Sequence, residues 1–228
     1  MNTDKKIYIL IPAFNEEKKI DHVIKSLKDT GYHNILVVND GSTDNTKEVA
    51  LKSGAEVLSH IFNRGQGTAL RTGIEYLREN CKPDIIITFD ADGQHQAEDV
   101  ENLIDPIIKE DFDIVLGSRF LQKENKVPLV RKIILKGGII FTKLVSDIKL
   151  TDAHNGIRAL GKKAIDSIEI TQRGMEHASE IVDEIKNKGL KHKEVPVKII
   201  YSEYSRYKGQ KSSNLFKIGA KIILKKFI

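Results

Sequence analysis

The chain has 228 residues, of which 40% are hydrophobic and 30% are charged. This balance is that of a globular protein and excludes the disordered and fibrous classes, and the length suffices for one well-buried core. The formal net charge of +5 suits partners that carry phosphate groups, nucleic acid or an anionic membrane surface. Because the lysines are scattered and form no nucleic-acid-binding motif, we expect no nucleic-acid partner.

Cysteine content and hydropathy give a first expectation about location. The single cysteine, Cys81, cannot form an internal disulfide, so nothing indicates an oxidising compartment. No apolar stretch approaches the roughly 20 residues that a membrane-spanning helix needs. The N-terminal apolar run is also too short for a signal peptide. We therefore expect a cytoplasmic protein.

The first half of the chain alternates short apolar runs with segments of helical period. The apolar runs predict buried strands of a parallel sheet: Ile7–Ile11, Ile35–Val38, Ala55–Leu58, Ile85–Phe89 and Ile114–Leu116. The segments between them predict helices: Glu16–Lys28, Thr43–Ser53, Gly67–Arg78 and Gln96–Lys109, the last with a potential kink at Pro106. This alternation predicts an α/β fold with a Rossmann-like, mostly parallel sheet flanked by helices.

The second half is less regular. Two further strands and two helices are predicted there: Gly156–Leu160, Val195–Ile200, Val130–Ser146 and Glu176–Lys188. A polar loop, Tyr201–Asn214, follows them. Because no repeat or linker interrupts the pattern, we predict one catalytic domain, residues 1–214, followed by a C-terminal helix, residues 215–228.

The predicted C-terminal helix, Leu215–Ile228, is basic and amphipathic. Lys217, Lys221 and Lys225 recur every four residues and form one stripe beside a wide apolar face. This pattern is typical of a helix that lies on an anionic membrane surface, which would place the protein peripherally on the inner face of a membrane. Packing against the core, or docking on a membrane-protein partner, are the alternatives.

Polar residues follow the carboxyl ends of the predicted strands, where ligands bind in open α/β sheets. Asp90 and Asp92 lie one residue apart after the fourth strand, so their carboxylates point to the same side. Such a pair suits Mg²⁺ or Mn²⁺, whose other positions are taken by substrate phosphates. A solvated turn in which the two aspartates cap the next helix is the alternative.

Two more strand ends carry candidate ligand-binding residues. Asp40 lies at the tip of the second strand, where it is placed to hold a base or a ribose. Ser42 or Thr43 is then the candidate cap of the following helix. Gly65 and Gly67 place flexible backbone at a helix N-terminus, which suits an anion or a closely approaching ligand.

Five segments in this order resemble family 2 glycosyltransferases: IPAFNEE, VVNDGSTDNT, NRGQGTALRTG, FDADGQHQAED and LGSRF. The sequence is most similar to the branch that transfers mannose or glucose to polyprenyl phosphates. The resemblance covers roughly residues 7–212. It implies the GT-A fold, a UDP- or GDP-hexose donor, a divalent metal, and inversion at the anomeric carbon of the sugar.

The resemblance also implies roles for individual residues. The nucleoside would contact Pro12, Ala13, Asn15, Glu16 and Asp40. The metal and the diphosphate would be held by Asp90, Asp92 and Gln94. Arg119 and Arg131 match basic positions near the donor phosphate or the acceptor. If the acceptor is a lipid phosphate, Arg131, Arg206 and Lys208 would hold it. A second block of the family, near the sugar and the acceptor, is matched by Asp152 and the run Asn155-Gly156-Ile157-Arg158.

The acceptor decides which further chemistry is needed. Glu180 falls where the family has a carboxylate beside the sugar, and it is the candidate general base for a hydroxyl acceptor. A lipid phosphate is already ionised and needs no base. The order Lys211-Ser212 departs from the polyprenyl-phosphate branch, which has Ser before Lys, so the hydroxyl of a glycan or glycolipid stays open as an acceptor.

Two other functions compete with glycosyl transfer. A sugar-1-phosphate nucleotidyltransferase has a similar core and metal carboxylates, but its first strand leads into a glycine-rich, arginine-containing loop. This chain has the run Pro12-Ala13-Phe14-Asn15 there instead. A non-catalytic nucleotide-sugar-binding protein would not require the pair Asp90 and Asp92.

Overall fold

The computed structural model describes residues 4–122 and 148–200. Seven strands within these residues form one sheet, in the order β3-β2-β1-β4-β6-β5-β7. The strands are β1 Ile7–Ala13, β2 Ile35–Asn39, β3 Glu56–Ser59, β4 Ile85–Thr88, β5 Ile114–Ser118, β6 Arg158–Gly161 and β7 His192–Pro196. Neighbouring strands run parallel, except that β6 is antiparallel to both β4 and β5.

Helices cover both faces of the sheet. They are α1 Ile20–Asp29, α2 Thr46–Lys52, α3 Gln66–Tyr76, α4 Asp99–Glu110, α5 Lys162–Ser167 and α6 His177–Asn187. A π-helical turn, Leu77–Cys81, extends α3 and ends at Lys82, whose φ is +51°. None of the helices within the described residues is both long enough and apolar enough to cross a membrane.

The core consists of two apolar layers, one on each face of the sheet. Successive side chains of a strand point to opposite faces, so Ile9 and Ile11 belong to one layer and Leu10 belongs to the other. Buried residues of α1, α2 and α4 complete the first layer, and buried residues of α3, α5 and α6 complete the second. The predicted α/β fold is therefore confirmed.

The strand order reverses its direction along the sheet between β1 and β4. The chain builds β2 and β3 on one side of β1 and then crosses to β4 on its other side. The loops that leave the carboxyl ends of β1 and β4 therefore lead away from each other along the sheet, and we call the space between them the crevice, which is the usual ligand position in open α/β sheets. Phe14–Glu16 follow β1 and Asp90 follows β4, so the predicted site residues lie at this crevice.

Several predicted boundaries are wrong at the carboxyl edge of the sheet. Helix α1 begins at Ile20 rather than Glu16, and α2 begins at Thr46 rather than Thr43. Ser42 does not cap α2, because its Oγ accepts a hydrogen bond from the backbone N–H of Asn15 at 2.9 Å. The intervening residues bond to the neighbouring loop instead of continuing a helix.

Other differences concern the second half of the chain. The last described strand is β7 rather than Val195–Ile200, although Ile199 still forms an isolated bridge with His95. Helix α4 continues through Pro106 to Glu110, and α5 was not predicted. The predicted helices Val130–Ser146 and Leu215–Ile228, and the loop Tyr201–Asn214, lie outside the described residues.

Candidate active site

The carboxylates of Asp90 and Asp92 are both held by neighbouring side chains. Asp90 Oδ1 accepts a hydrogen bond from Nε2 of Gln66 at 3.1 Å, and its Oδ2 lies 3.0 Å from Nε2 of His95. The two oxygens of Asp92 accept hydrogen bonds from the backbone N–H of Gln94 at 3.0 Å and from its side-chain Nε2 at 2.6 Å. The structure therefore brings the predicted metal residues together in one turn.

The two carboxylates differ in their electrostatics. Burial and the negative charge of Asp90 raise the pKa of Asp92. Burial also disfavours ionisation of Asp90, but the hydrogen bond with His95 and nearby positive charges, including Arg158, hold the pKa of Asp90 below its ordinary value. The charge of Asp90 makes Asp92 harder to ionise, so a cation bound beside both carboxylates would relieve this repulsion.

The donor set is compatible with a hard divalent cation. Carboxylate and amide oxygens of Asp90, Asp92 and Gln94 are ligands that Mg²⁺ and Mn²⁺ accept, and such sites leave positions for substrate phosphates and water. Within residues 4–122 and 148–200, no group of three or more His, Cys, Asp or Glu side chains could hold a metal by itself. A metal bound here would therefore need further ligands, such as water or substrate phosphates.

Gly156 lies against the carboxylate of Asp90. A Cβ atom at Gly156 would be 2.2 Å from Oδ2 and 2.5 Å from Oδ1 of Asp90. The carbonyl of Gly156 is fixed in turn, because Thr88 Oγ1 donates a hydrogen bond to it at 2.7 Å. Only glycine fits at position 156, because a side chain there would collide with the carboxylate of Asp90.

Arg158 places a buried positive charge near Asp90. Its side chain is fully buried, and its Nη2 donates a hydrogen bond to the carbonyl of Ala153 at 3.3 Å. Burial lowers the pKa of Arg158 to about 10, although the negative charges of Asp90 and Asp152 act to raise it. The guanidinium group is therefore still protonated at neutral pH and contributes to keeping Asp90 ionised.

The predicted nucleoside residues are also brought together. Pro12 and Ala13 are buried at the end of β1, and the backbone N–H of Asp40 donates to the carbonyl of Ala13 at 2.8 Å. Asn15 has φ +54°, and its Oδ1 accepts a hydrogen bond from the N–H of Thr43 at 2.8 Å. These bonds join the β1–α1 loop to the β2–α2 loop at one end of the crevice.

The carboxylate of Asp40 is occupied within the protein. It accepts hydrogen bonds from the backbone N–H groups of Arg64 at 2.9 Å and Gly65 at 2.8 Å, and its Oδ1 lies 2.7 Å from Nδ1 of His60. Its side chain is 4% exposed. Asp40 therefore organises the β3–α3 loop, and a direct contact with the nucleoside stays a prediction.

The proposed anion site at the start of α3 is wrong. The backbone N–H groups of Gly67 and Thr68 donate to the carbonyl of Arg173 at 2.9 and 3.3 Å. A Cβ atom at Gly65 or Gly67 would lie 2.3 or 2.1 Å from a carbonyl oxygen of the segment 172–173. The glycines are needed for this close approach of two backbones, and the N–H groups expected to face an anion are bound by protein.

Glu180 supports the same segment from the opposite side. Its carboxylate accepts hydrogen bonds from the N–H groups of Thr171 at 2.9 Å and Gln172 at 2.8 Å, and also from the hydroxyl of Thr171. Action as a general base would require Glu180 to give up some of these bonds. Its geometry is that of a residue that holds the loop which packs on α3.

Arg119 forms a buried ion pair. Its Nε donates to Oδ2 of Asp152 at 2.5 Å, and its backbone N–H donates to the same oxygen at 3.0 Å. The side chains are 7% and 1% exposed. Part of the donor capacity of Arg119 is thus used within the protein, and its contact with a phosphate stays a prediction. The other predicted basic residues lie outside the described residues: Arg131, Arg206 and Lys208.

Some residues around Asp90 were not singled out from the sequence. Gln66 lies in the Gly-Gln-Gly run after β3. Its position after the carboxyl end of a parallel strand, at the same sheet edge as Asp90, is the feature of the sequence that indicates a place in the site. His95 lies three residues after Asp92, and its contact with Asp90 was not predicted. His177 at the start of α6 gave no sequence signal. Burial and the charge of Arg158 lower the pKa of His177 to about 4.

Comparison with protein families identifies the chain. The profile of glycosyl transferase family 2 matches residues 8–168. This chain belongs to that family. The matched range contains the crevice, the pair Asp90 and Asp92, and the block that ends at Arg158, so the family 2 assignment covers most of the residues that build the site. The chain is therefore a glycosyltransferase, and this finding favours glycosyl transfer over the two competing functions.

Known relatives extend along most of this family 2 chain. It is 44% identical to an uncharacterized protein of Methanocaldococcus jannaschii, across 99% of this chain and 94% of that protein. It is 36% identical to the UDP-N-acetylglucosamine–dolichyl-phosphate N-acetylglucosaminyltransferase of Methanococcus voltae, across 98% of this chain and 97% of that protein. It is 30% identical to the dolichol-phosphate mannosyltransferase of Pyrococcus furiosus, across 84% of this chain and 55% of that protein.

Solved structures confirm the fold. The chain resembles glucosyl-3-phosphoglycerate synthase from Mycobacterium tuberculosis, solved with Mn²⁺, uridine diphosphate and glucosyl-3-phosphoglycerate, with a TM-score of 0.72. The identity is 19%, and the match covers 96% of this chain and 78% of that one. At this identity the likeness concerns the fold alone, and it confirms the GT-A fold expected of this family 2 member.

Proposed function

We propose that the chain transfers a sugar from a UDP- or GDP-linked donor to a polyprenyl phosphate, with Mg²⁺ or Mn²⁺ bound at Asp90 and Asp92. The observation that carries this proposal is the acidic pair itself, fixed by Gln66, His95 and Gln94 at the crevice between β1 and β4. The relatives from Methanococcus voltae and Pyrococcus furiosus, which are named for dolichyl- or dolichol-phosphate acceptors, support the acceptor class.

The residues of the site have different roles in this proposal. Asp90 and Asp92 bind the cation, and Gln94 orients Asp92. Gln66 and His95 keep the Asp90 carboxylate in one position, so little reorganisation is needed when the donor binds. The bound cation would supply charge stabilisation for the departing nucleoside diphosphate. The loops that contain Asn15 and Asp40 lie at the end of the crevice where the nucleoside is expected.

The hydrogen bonds that the Glu180 carboxylate already accepts support a phosphate acceptor. A hydroxyl acceptor needs a base to remove its proton, and Glu180 is the candidate from the family resemblance. Its carboxylate is already bound to the N–H groups of Thr171 and Gln172. A polyprenyl phosphate is ionised at neutral pH and reacts without such a base.

The test compares two acceptors that differ only in the phosphate. Transfer from UDP-N-acetylglucosamine and from GDP-mannose is measured with a short polyprenyl phosphate and with the matching polyprenol. We expect transfer to the phosphate only, and Glu180→Gln should retain activity within about tenfold, because both backbone N–H groups donate to one oxygen of Glu180 and the amide oxygen can take its place.

Glu184→Gln is the matched control, since Glu184 lies one turn further along α6. The proposal fails if the polyprenol is the better acceptor and Glu180→Gln alone lowers its rate by roughly 10²–10⁴, the usual contribution of a general base.

A further inference from the structure

Large apolar side chains are exposed mainly at one edge of the sheet. In residues 4–122 and 148–200, five of the six exposed large hydrophobic residues follow carboxyl ends of the parallel strands β1, β3, β5 and β7. We name these five the apolar rim: Phe14, Ile61, Phe62, Leu121 and Ile200. The sixth, Leu51, lies in the last turn of α2, which runs back toward the opposite edge.

The Ile61–Phe62 pair is the most exposed part of the rim. Ile61 is 98% exposed and Phe62 is 66% exposed, so neither side chain contributes much to the core. Two adjacent, strongly exposed apolar side chains are a candidate interaction surface, whereas single exposed apolar residues are ordinary.

The loop that carries this pair is held in place by the rest of the protein. On one side, Asp40 binds the N–H groups of Arg64 and Gly65 and the ring of His60. On the other side, the backbone of Phe62 packs so closely on Gly41 that a Cβ there would lie 2.3 Å from the carbonyl carbon of Phe62. The two apolar side chains are therefore presented outward by a fixed loop.

The charges beside the rim favour a negatively charged surface. Arg64 lies two residues after Phe62 and is exposed. Arg173 is also exposed, and its carbonyl oxygen would lie 2.3 Å from a Cβ at Gly65. Arginines beside exposed apolar side chains match the interface of an anionic bilayer, where the apolar groups enter the headgroup region and the cations face lipid phosphates.

The rim is also continuous with the site. Ile200 donates its backbone N–H to the carbonyl of Gln94 at 2.9 Å, next to the acidic pair. Phe14 precedes Asn15 in the loop that follows β1. A surface that contacts the rim therefore adjoins the crevice where the acceptor has to arrive.

We propose that the apolar rim binds the carboxyl edge of the sheet to an anionic lipid bilayer, with Ile61 and Phe62 inserted among the lipid headgroups. This inference rests on the proposed lipid acceptor, because only a lipid-linked substrate requires the crevice to face a bilayer. The exposed side chains would then be buried in the state in which the enzyme meets its acceptor.

The chain offers an unusually clean probe, since it contains no tryptophan. Phe62→Trp and Leu51→Trp of the full chain each carry a single tryptophan, at the rim and away from it, which can be excited selectively at about 295 nm or longer wavelengths. With phosphatidylcholine–phosphatidylglycerol vesicles, we expect a blue shift and quenching by brominated lipid for Phe62→Trp, and neither for Leu51→Trp.

A second measurement determines the affinity. The double variant Ile61→Ser/Phe62→Ser should bind these vesicles at least about tenfold more weakly than the wild type, because two apolar side chains no longer leave water. Leu51→Ser should bind as the wild type does. The inference is overturned if the double variant keeps full vesicle affinity, or if UDP or GDP quenches Phe62→Trp and brominated lipid does not.

Activity on a water-soluble, short-chain polyprenyl phosphate separates this inference from the proposed function. The double variant should retain that activity, since Ile61 and Phe62 are not part of the catalytic machinery. Loss of vesicle binding with retained soluble activity supports both proposals. If the wild type shows no transfer to any polyprenyl phosphate, the proposed function fails, and the vesicle experiments then test the bilayer contact alone.

Discussion

Asp90 is the residue on which the interactions of the candidate site converge. Its oxygens meet Gln66 from the start of α3 and His95 from the loop after β4. The backbone of Gly156 closes the third side, and the charge of Arg158 lies nearby. These contacts restrict the carboxylate to one position and keep it ionised.

Gly156→Ala tests this restriction. The added methyl group cannot coexist with the present position of Asp90, so the carboxylate has to move. A displacement of about 1 Å at a reacting centre can lower the rate by roughly 10², and we expect a loss of at least this size in kcat/KM. Gly161→Ala adds the same methyl group at the last residue of β6, where the nearest atom, Cγ2 of Ile107, is 3.1 Å away. If both variants lose activity equally, the contact with Asp90 is not the cause.

Sequence predicts this site only where its parts are local. Asp90 and Asp92 are recognisable because two acidic residues follow an apolar strand, and Gln94 follows them within the same turn. Gln66 and Gly156 are separated from Asp90 by 24 and 66 positions in the chain, and they reach it only through the sheet. No local pattern reports such a contact, so neither residue was assigned to Asp90 in advance.

Loops at the carboxyl edge act together rather than as separate connections. Asn15 bonds to Thr43, and the N–H of Glu16 donates to Oγ1 of Thr46 at 2.7 Å. These bonds explain why α1 and α2 begin later than predicted: helical period and capping preference describe one segment, and the competing partners come from another. The interiors of the same helices, which depend on their own apolar faces, were predicted correctly.

Asp40→Asn tests the role of the β3–α3 loop. An amide cannot accept hydrogen bonds from Arg64, Gly65 and His60 as the carboxylate does, so at least one buried donor loses its partner. Such a loss costs about 1–3 kcal/mol, and we expect the free energy of unfolding in urea to fall by this amount. Asp29→Asn, at an exposed position in α1, should leave it unchanged. Unaltered stability combined with weaker nucleotide binding would instead indicate that Asp40 contacts the nucleoside directly.

The whole molecule places several ionisable groups in its interior, and this gives a dependence of stability on pH. His177 is 3% exposed, and burial lowers its pKa to about 4 from an ordinary value near 6.5. Between these values the unfolded chain binds a proton that the folded chain does not. Above about pH 6.5 His177 is neutral in both states and does not reduce the free energy of unfolding. As the pH falls from about 6.5 toward 4, protonation of the unfolded chain lowers the free energy of unfolding.

His177→Gln should reduce this dependence. We expect the free energy of unfolding of the variant to decline less than that of the wild type between pH 6.5 and 4.5, by on the order of 2 kcal/mol. His33→Gln, at an exposed position, should follow the wild-type curve. Parallel curves for wild type and His177→Gln would mean that His177 titrates normally in the folded protein.

At the scale of the whole molecule, the sequence predicts the fold well in its first half. Five apolar strands alternate with amphipathic helices, and each pattern is satisfied by burial against the sheet. The antiparallel insertion of β6 between β4 and β5 was not predicted, because strand order depends on contacts distant in sequence rather than on hydropathy. The GT-A fold came from the resemblance, and the match in structure confirms it.

Metal-dependent transfer at the acidic pair is the central claim, and the products of the reaction test it most directly. The full chain is incubated with a UDP- or GDP-linked sugar, a polyprenyl phosphate and Mn²⁺, and the released nucleotide and the lipid-linked sugar are quantified together. We predict equal amounts of nucleoside diphosphate and lipid-linked sugar from the wild type. Excess EDTA, or Asp92→Asn, should lower both by at least roughly 10², while the surface variant Asp105→Asn should not. Full activity in excess EDTA, or release of pyrophosphate instead of the nucleoside diphosphate, would contradict the account.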